Sequence, residues 1–423
     1  MITVGLDFGT HQSKVCIEHR KGAELSYEFF TFKDARGKER FTLPSIIYEC
    51  SDGHLTYGYL PDDLRGGKII RYFKQSTFSK SSSDMTLVDA VYYSIWYIAY
   101  ILFDLEERHG QEFSIQMGVP SDGATHTEKK HLAVRILLSA YHLVEYVFEN
   151  DKKAFLNTTV DELKSVTQIL PYSKEKKEEF GLLVFPEAYV CLMPLVKSKK
   201  IARGMSLMVD IGGGTTDISF FTIKGDKPQV YKYYSIDKGL NFLTDATGVG
   251  DLRHDSNVKD GNEIIPSRKS EFTVAINNVC DRLTESLEKE LRKQSDIPVQ
   301  RLKDALKSRP LIYSGGGSTF KKLCRPHYEF RDIIRISDKE WRSESIKQMG
   351  KIVALGLCPI LSTAYGLSIS VVDDNINCEP FREIFKGIRQ WTPEKKSKKN
   401  KFVFGASICS DGFSYADDWD AMK

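Results

Sequence analysis

The feature that most constrains this chain is a phrase that occurs twice. Ile2 to Glu18 alternates apolar residues at Ile2, Val4 and Leu6, ends the run on Asp7, turns through Gly9-Thr10-His11 and resumes alternation at Val15 and Ile17. Leu207 to Ile223 repeats it: Leu207 and Val209 lead to Asp210, then Gly212-Gly213-Gly214-Thr215-Thr216, then Asp217, Ile218 and Phe220. Period-two alternation interrupted by glycine predicts strand, tight turn, strand. Two such hairpins, each with an aspartate at the end of its first strand, predict duplicated α/β lobes that face each other across a cleft.

Such hairpins suit phosphate. Glycine has no Cβ, so the backbone approaches an oxyanion closely and presents successive N–H groups to it. Thr10 and Thr215 add hydroxyl donors. Asp7 and Asp210 repel phosphate but fit a Mg²⁺ held mostly through its waters, because that ion dehydrates reluctantly. A third cluster follows a short strand, Leu311 to Ser314: Gly315-Gly316-Gly317 form the turn, and Ser318 stands where it would cap a helix over Phe320 to Leu323. Backbone without side chains at a helix start can lie flat on a nucleoside or receive a phosphate. The chain has no G-x-x-x-x-G-K-[ST] run, which excludes a P-loop, and no G-x-G-x-x-G between a strand and a helix.

Composition narrows the class. The 423 residues make two domains or one two-lobed body. Hydrophobic residues at 41% and charged residues at 28% exclude wholesale disorder. The net charge of +3 gives no global electrostatic case for nucleic acid. The eight cysteines form no C-x-x-C pair, so they are expected as buried free thiols in a reducing compartment. No secretory signal is visible at the start. Ala90 to Phe103 is the most apolar stretch; it is shorter than the ~20 residues of a membrane span and is closed by Asp104, Glu106 and Glu107, so it is expected as a buried helix. A cytoplasmic protein without membrane contact is the resulting expectation.

Three segments, Gly5 to Thr10, Val209 to Ser219 and Tyr313 to Thr319, resemble the phosphate-1, phosphate-2 and adenosine motifs of the actin, sugar kinase and heat-shock chaperone ATPase superfamily. Phe185 to Tyr189 resembles the first connecting helix of DnaK-type chaperones, and Ala364 to Leu367 the second, where a glycine lets the two helices cross. Leu43 to Tyr48, Tyr57-Gly58 and Gly118-Val119-Pro120 resemble chaperone segments, and Lys74 falls where the chaperones place a catalytic lysine. The resemblance runs from Met1 to about Ser370.

It implies a two-lobed actin-like ATPase fold of ribonuclease-H-like lobes, each on a mixed five-stranded sheet, with ATP or ADP and Mg²⁺ in the cleft. Lobe I would span 1–200 and lobe II 201–365, with 366–423 supplying a return helix and a tail. Asp7, Asp210 and Asp217 would organise Mg²⁺ and its waters. Lys14 or Lys74 would neutralise charge on the γ-phosphate, Glu187 would position the attacking water, and Thr215 would lie near the γ-phosphate. Gly9, Thr10, His11, Gly212, Gly213, Gly214, Thr216, Gly315, Gly316, Gly317 and Ser318 would line the nucleotide, with Arg282 on the adenine side.

The chain also departs from the chaperones. Lys14 stands where actins have a phosphate-touching lysine, and Thr284 stands where the chaperones have a lysine. Ser121 to Gly181 is longer than in the chaperones; it contains an amphipathic helix expected over Leu132 to Phe148 and a charged segment, Asp151 to Glu179. A long helix is expected over Phe272 to Lys293. The tail from Val371 holds a Lys-rich run, Glu394 to Lys401, and then aromatics, and is too short for a peptide-binding sandwich with its lid. The main expectation is a chaperone-like ATPase switch acting on a partner protein. The alternatives are a bacterial actin-like filament-forming ATPase and a small-metabolite kinase.

Overall fold

The computed structural model describes residues 2–60, 66–79, 85–110, 112–121, 125–194, 206–224, 227–243, 265–293, 311–319, 333–335 and 361–369. The first phrase folds as β1 (Ile2–Asp7) and β2 (Gln12–Lys21), an antiparallel pair that sets Asp7 opposite Lys14. β3 (Glu24–Phe29) continues the meander on β2. β4 (Phe113–Val119) and β5 (Leu182–Pro186) add parallel strands on the other side of β1, giving the order β3-β2-β1-β4-β5.

The second phrase builds the same sheet again. β6 (Ser206–Ile211) and β7 (Thr216–Lys224) pair antiparallel with Asp210 opposite Asp217, and β8 (Lys227–Ile236) extends the meander. β9 (Leu311–Ser314) and β10 (Ile333–Arg335) lie parallel beyond β6, so the order is β8-β7-β6-β9-β10. Each central strand, β1 and β6, has an antiparallel neighbour on one side and a parallel one on the other. Only the antiparallel side can be closed by a short glycine turn; the parallel side requires a long crossover. The expected duplicated α/β fold is therefore present, with a five-stranded path in each sheet; the first sheet carries a sixth short strand, Leu43–Pro44, paired with the start of β2.

The helices position the cleft. α1 (Phe73–Phe78) begins after Tyr72, whose φ of 63° lies in the left-handed region. α2 (Leu87–His109) is the expected apolar helix, extended at both ends. Thr86 caps its first turn by accepting from Asp89 N–H, and Gly110 at φ 76° ends it. It is long and apolar enough to cross a membrane, but two-thirds of its apolar window is buried inside the protein (67%). Ile95, Trp96, Ile98, Ile101, Leu102 and Leu105 have no exposure, and Trp96 Nε1 donates to Thr167 Oγ1 at 2.7 Å. α3 (His126–His142) starts earlier than the expected Leu132 and gives way to a π-helical turn at Leu143–Val147. Its apolar face, with Val134, Leu137 and Tyr141, packs on α2 and β5.

α4 (Glu187–Val190) follows β5 directly, with Pro186 at its N-cap position. Ala188, Cys191 and Leu192 pack with Met208, Phe221 and Ile312 of the second sheet. α5 (Pro266–Lys293) opens on proline, which is tolerated at a first helical position, so it begins before the expected Phe272. It buries Phe272, Ile276, Val279 and Leu283. α6 (Ser362–Ser368) returns to the first sheet: Leu361, Ala364 and Tyr365 pack with Cys16 and Phe29. A side chain on Gly5 would run into the backbone of α6, and one on Gly366 into Val190 O. These two glycines let α6 lie on β1 and cross α4 backbone to backbone. The tail from 370 on and the expected helix over Phe320 to Leu323 lie outside the described residues.

Candidate functional site

The turns that follow β1 and β6 meet face to face. In the second, Gly212 N–H donates to Thr215 O at 2.9 Å, closing a tight loop. The His11 ring lies against Gly213, where a Cβ would overlap it, and a Cβ on Gly214 would come within 2.6 Å of Thr10 Oγ1. In the first, Ser45 Oγ donates to Gly9 O at 2.6 Å and Ser45 N–H to His11 O at 2.8 Å. Gly9 leaves room for Lys14, whose Nζ would lie 3.3 Å from a Cβ placed there. Gly315, at φ 75°, turns the chain out of β9 against Asp210 and Ile211. Gly317 packs on Ile211, whereas Gly316 has open space in front of it.

Around these turns stand four carboxylates and two lysines. Lys14 Nζ pairs with Asp7 Oδ2 at 3.0 Å, across the β1–β2 register. Lys74 Nζ pairs with Glu187 Oε1 at 2.6 Å, and both are almost fully buried. Gly118, at the end of β4, makes room for Glu187: a Cβ there would lie 2.9 Å from its Cγ. Among the described residues Asp210 and Asp217 form no ion pair with a lysine. Their Oδ1 atoms are shut off from solvent and have no hydrogen-bond partner among the described residues, while Asp217 Oδ2 accepts from Thr215 Oγ1 at 3.3 Å. Burial, then the charges of Glu187 and Asp7, push the Asp210 carboxyl up to about 7. Burial, then Glu187 and Asp210, push Asp217 well above the carboxylate range.

Two buried acids with unpartnered oxygens are costly unless a cation or a proton meets them. An oxygen-only donor set beside glycine turns suits a hard divalent ion that keeps its waters. Asp7, Asp210 and Asp217 therefore fit Mg²⁺; these carboxylates would hold the ion through its waters, and the ion would supply charge neutralisation for a bound phosphate.

Several residues stand elsewhere than their assigned roles suggest. Thr216 is fully buried and its hydroxyl donates to Lys238 O at 2.8 Å, so it fastens the β7 hairpin instead of facing phosphate. Arg282 is on an exposed part of α5; its Nε donates to Asn278 O at 3.2 Å and its guanidinium lies over the Tyr234 ring. The Ser318 hydroxyl donates back to Gly315 O at 2.8 Å, inside a 3₁₀ turn over Gly316–Thr319.

Gln75 adds a contact that no sequence motif announced. Its amide donates to Gly214 O at 3.4 Å and accepts from Asn241 Nδ2 at 3.3 Å, and nearby Ser79 Oγ donates to Asp237 Oδ1 at 2.7 Å. α1 thus carries both Lys74 and a hydrogen-bonded link to the second lobe. The only available sequence signal was that Gln75 follows Lys74.

Two copies of one mixed sheet, closing on a cleft of glycine turns and carboxylates, define the two-lobed actin-like class of fold. No known family profile and no curated protein matches the chain. Among solved structures it is similar to MreB5 of Spiroplasma citri bound to ADP, at 12% identity over 76% of this chain and 87% of that one, with a TM-score of 0.39. It is similar to the AMPPNP-bound MreB5 of the same organism at 13% identity, with the same coverage and TM-score. The fold assignment rests on the strand order and the cleft.

Proposed function

We propose that this chain is an actin-like ATPase that binds ATP or ADP with Mg²⁺ between its lobes and hydrolyses ATP. The observation that carries the reading is the pair of buried carboxylates, Asp210 and Asp217, each with an Oδ1 that has no hydrogen-bond partner among the described residues, set beside glycine turns from both lobes. Phosphoryl transfer to water needs positioning and charge stabilisation more than covalent help. Backbone N–H groups of the Gly9 turn and of Gly213 and Gly214, with the Thr10 and Thr215 hydroxyls, would hold phosphate oxygens. Asp7, Asp210 and Asp217 would hold the ion's waters. Lys14 and Lys74 would neutralise developing charge, and Glu187, oriented by Lys74, would position the attacking water.

Calorimetric titration with ADP or ATP in the presence of Mg²⁺, followed by phosphate release, tests this directly. Binding near one equivalent with slow turnover is expected. No binding by well-folded protein overturns it.

Two finer readings divide at the lysines. The chaperone-like switch on a partner protein draws on the buried Lys74–Glu187 pair. The filament-forming alternative draws on Lys14, held 3.0 Å from Asp7 beside the first turn. We place the filament-forming reading first, because Lys14 stands in the cleft at the position that motivated it. ATP-dependent pelleting separates the two: sedimentation supports filaments, and a soluble protein at all concentrations returns the reading to a partner-directed switch. Cytoplasmic location belongs to either reading, in keeping with Cys16 and Cys191 as buried free thiols.

A further inference from the structure

At the far end of the first sheet, remote from the cleft, three metal-ligating side chains converge. His19 is near the end of β2 and faces Ile2 at the start of β1, whereas Asp7 and Lys14 mark the cleft end of the same pair. Glu28 on β3 pairs with Ile17, and His19 pairs with Ser26, so His19 and Glu28 are diagonal neighbours on one face. His109 is the last residue of α2. One nitrogen of each imidazole and one oxygen of Glu28 all lie within 4.8 Å of one another.

The geometry approaches a coordination shell. Tetrahedral zinc with nitrogen and oxygen ligands at about 2.0–2.1 Å sets neighbouring donors about 3.3 Å apart. His19 Nε2 and Glu28 Oε2 are already 3.1 Å apart. The His19 and His109 rings are 5.8 Å apart between centroids and inclined at 48°, so a small rotation brings the third donor in.

Two further observations point to a cation. His109 Nε2 is shut off from solvent and has no hydrogen-bond partner among the described residues. The C-terminal end of a 23-residue helix also carries partial negative charge, which favours a cation there. The neighbouring Arg108 has its guanidinium 4.2 Å from the centre of the Phe30 ring, which the His109 ring also packs against, and 3.4 Å from Thr31 Oγ1, so a cation at this site would have to outweigh its charge.

We propose that His19, Glu28 and His109 form a three-ligand site for a zinc-class divalent cation, completed by water, that ties the β2–β3 hairpin to the C-terminal end of α2. Two imidazoles and one carboxylate select this class over Mg²⁺, which takes oxygen ligands and would occupy the cleft. The site's ligands come from three elements of lobe I, so a metal bound among them would stabilise that lobe while the water position stays open.

The test uses the full chain, stripped of metal, titrated with Co²⁺ and then Zn²⁺ in millimolar Mg²⁺. One equivalent of Co²⁺ should bind with the intense visible bands of a low-coordinate site, Zn²⁺ should displace it, and either metal should raise the melting temperature. Losing a ligand costs at least as much as losing its supporting partner, so Glu28→Gln and His109→Ala should each weaken binding by about 100-fold or more. Glu28 is half-exposed, so its variant keeps the fold even if the His109 variant does not. Asp210→Asn, in the cleft, should leave Co²⁺ binding unchanged. Absence of binding at micromolar metal overturns the proposal. So does binding that survives both ligand variants, or that is lost with Asp210→Asn.

Discussion

Replacing Asp210 by asparagine should stabilise the empty protein and disable it for magnesium nucleotide. In the folded chain this carboxyl is raised from 3.8 to about 7, chiefly by burial and then by Glu187 and Asp7. At ~1.4 kcal/mol per unit, keeping it ionised costs at most about 4 kcal/mol. The group is almost fully buried, so solvent screening takes little from this. Asparagine still buries an amide, so a gain of about 1–3 kcal/mol is expected, or roughly 3–8 °C in melting temperature for a domain of this size.

The sign follows from counting protons. Between pH 3.8 and about 7 the folded chain holds a proton on Asp210 that the unfolded chain has released, so stability falls as pH rises through that window. Asp217, raised for the same reason, adds to the slope. Scanning calorimetry of metal-free, nucleotide-free protein at pH 6 and pH 8 measures both effects. Wild type should melt higher at pH 6, Asp210→Asn should melt higher than wild type at pH 8, and its pH dependence should be flatter. Mg²⁺ with ADP should raise the melting temperature of wild type and not of the variant. A variant that melts lower at pH 8, together with a wild type indifferent to pH, would refute the claim that this carboxylate is held against its desolvation cost for a cation.

Glu187→Gln keeps an acceptor for Lys74 but loses the charge that orients water, so phosphate release should fall about 100-fold while nucleotide affinity changes little; equal turnover would make Glu187 structural. Gly366→Ala forces a methyl group into Val190 O and should cost about 1–3 kcal/mol, whereas Gly316→Ala, facing open space, should melt like wild type; equal melting of the two variants would remove the crossing argument. Hydrogen exchange over Ser362–Ser368 should differ between a non-hydrolysable ATP analogue and ADP, because only the triphosphate can engage Thr10, Lys14 and Thr215 together. Identical exchange would leave no route from the cleft to α6.

Features with local causes could be read from the residues alone. Alternation and glycine turns set the two hairpins, because side-chain period and backbone freedom act over a few residues. Asp7, Asp210 and Asp217 were legible because strand ends beside glycine turns place them where the backbone places the turns. The crossing at Gly366 was legible because its lack of a side chain permits the close approach. Tertiary structure decided what depends on partners distant in sequence. Lys74 meets Glu187, 113 residues further along the chain, only once the fold brings α1 to α4. Gln75 reaches Gly214 and Asn241 only once the lobes face each other. Thr216 and Arg282 had suitable chemistry, but Lys238 O and Asn278 O were nearer. His19, Glu28 and His109 share no local pattern; a strand, its diagonal neighbour and a helix end become a cluster only through the packing of α2 on the sheet.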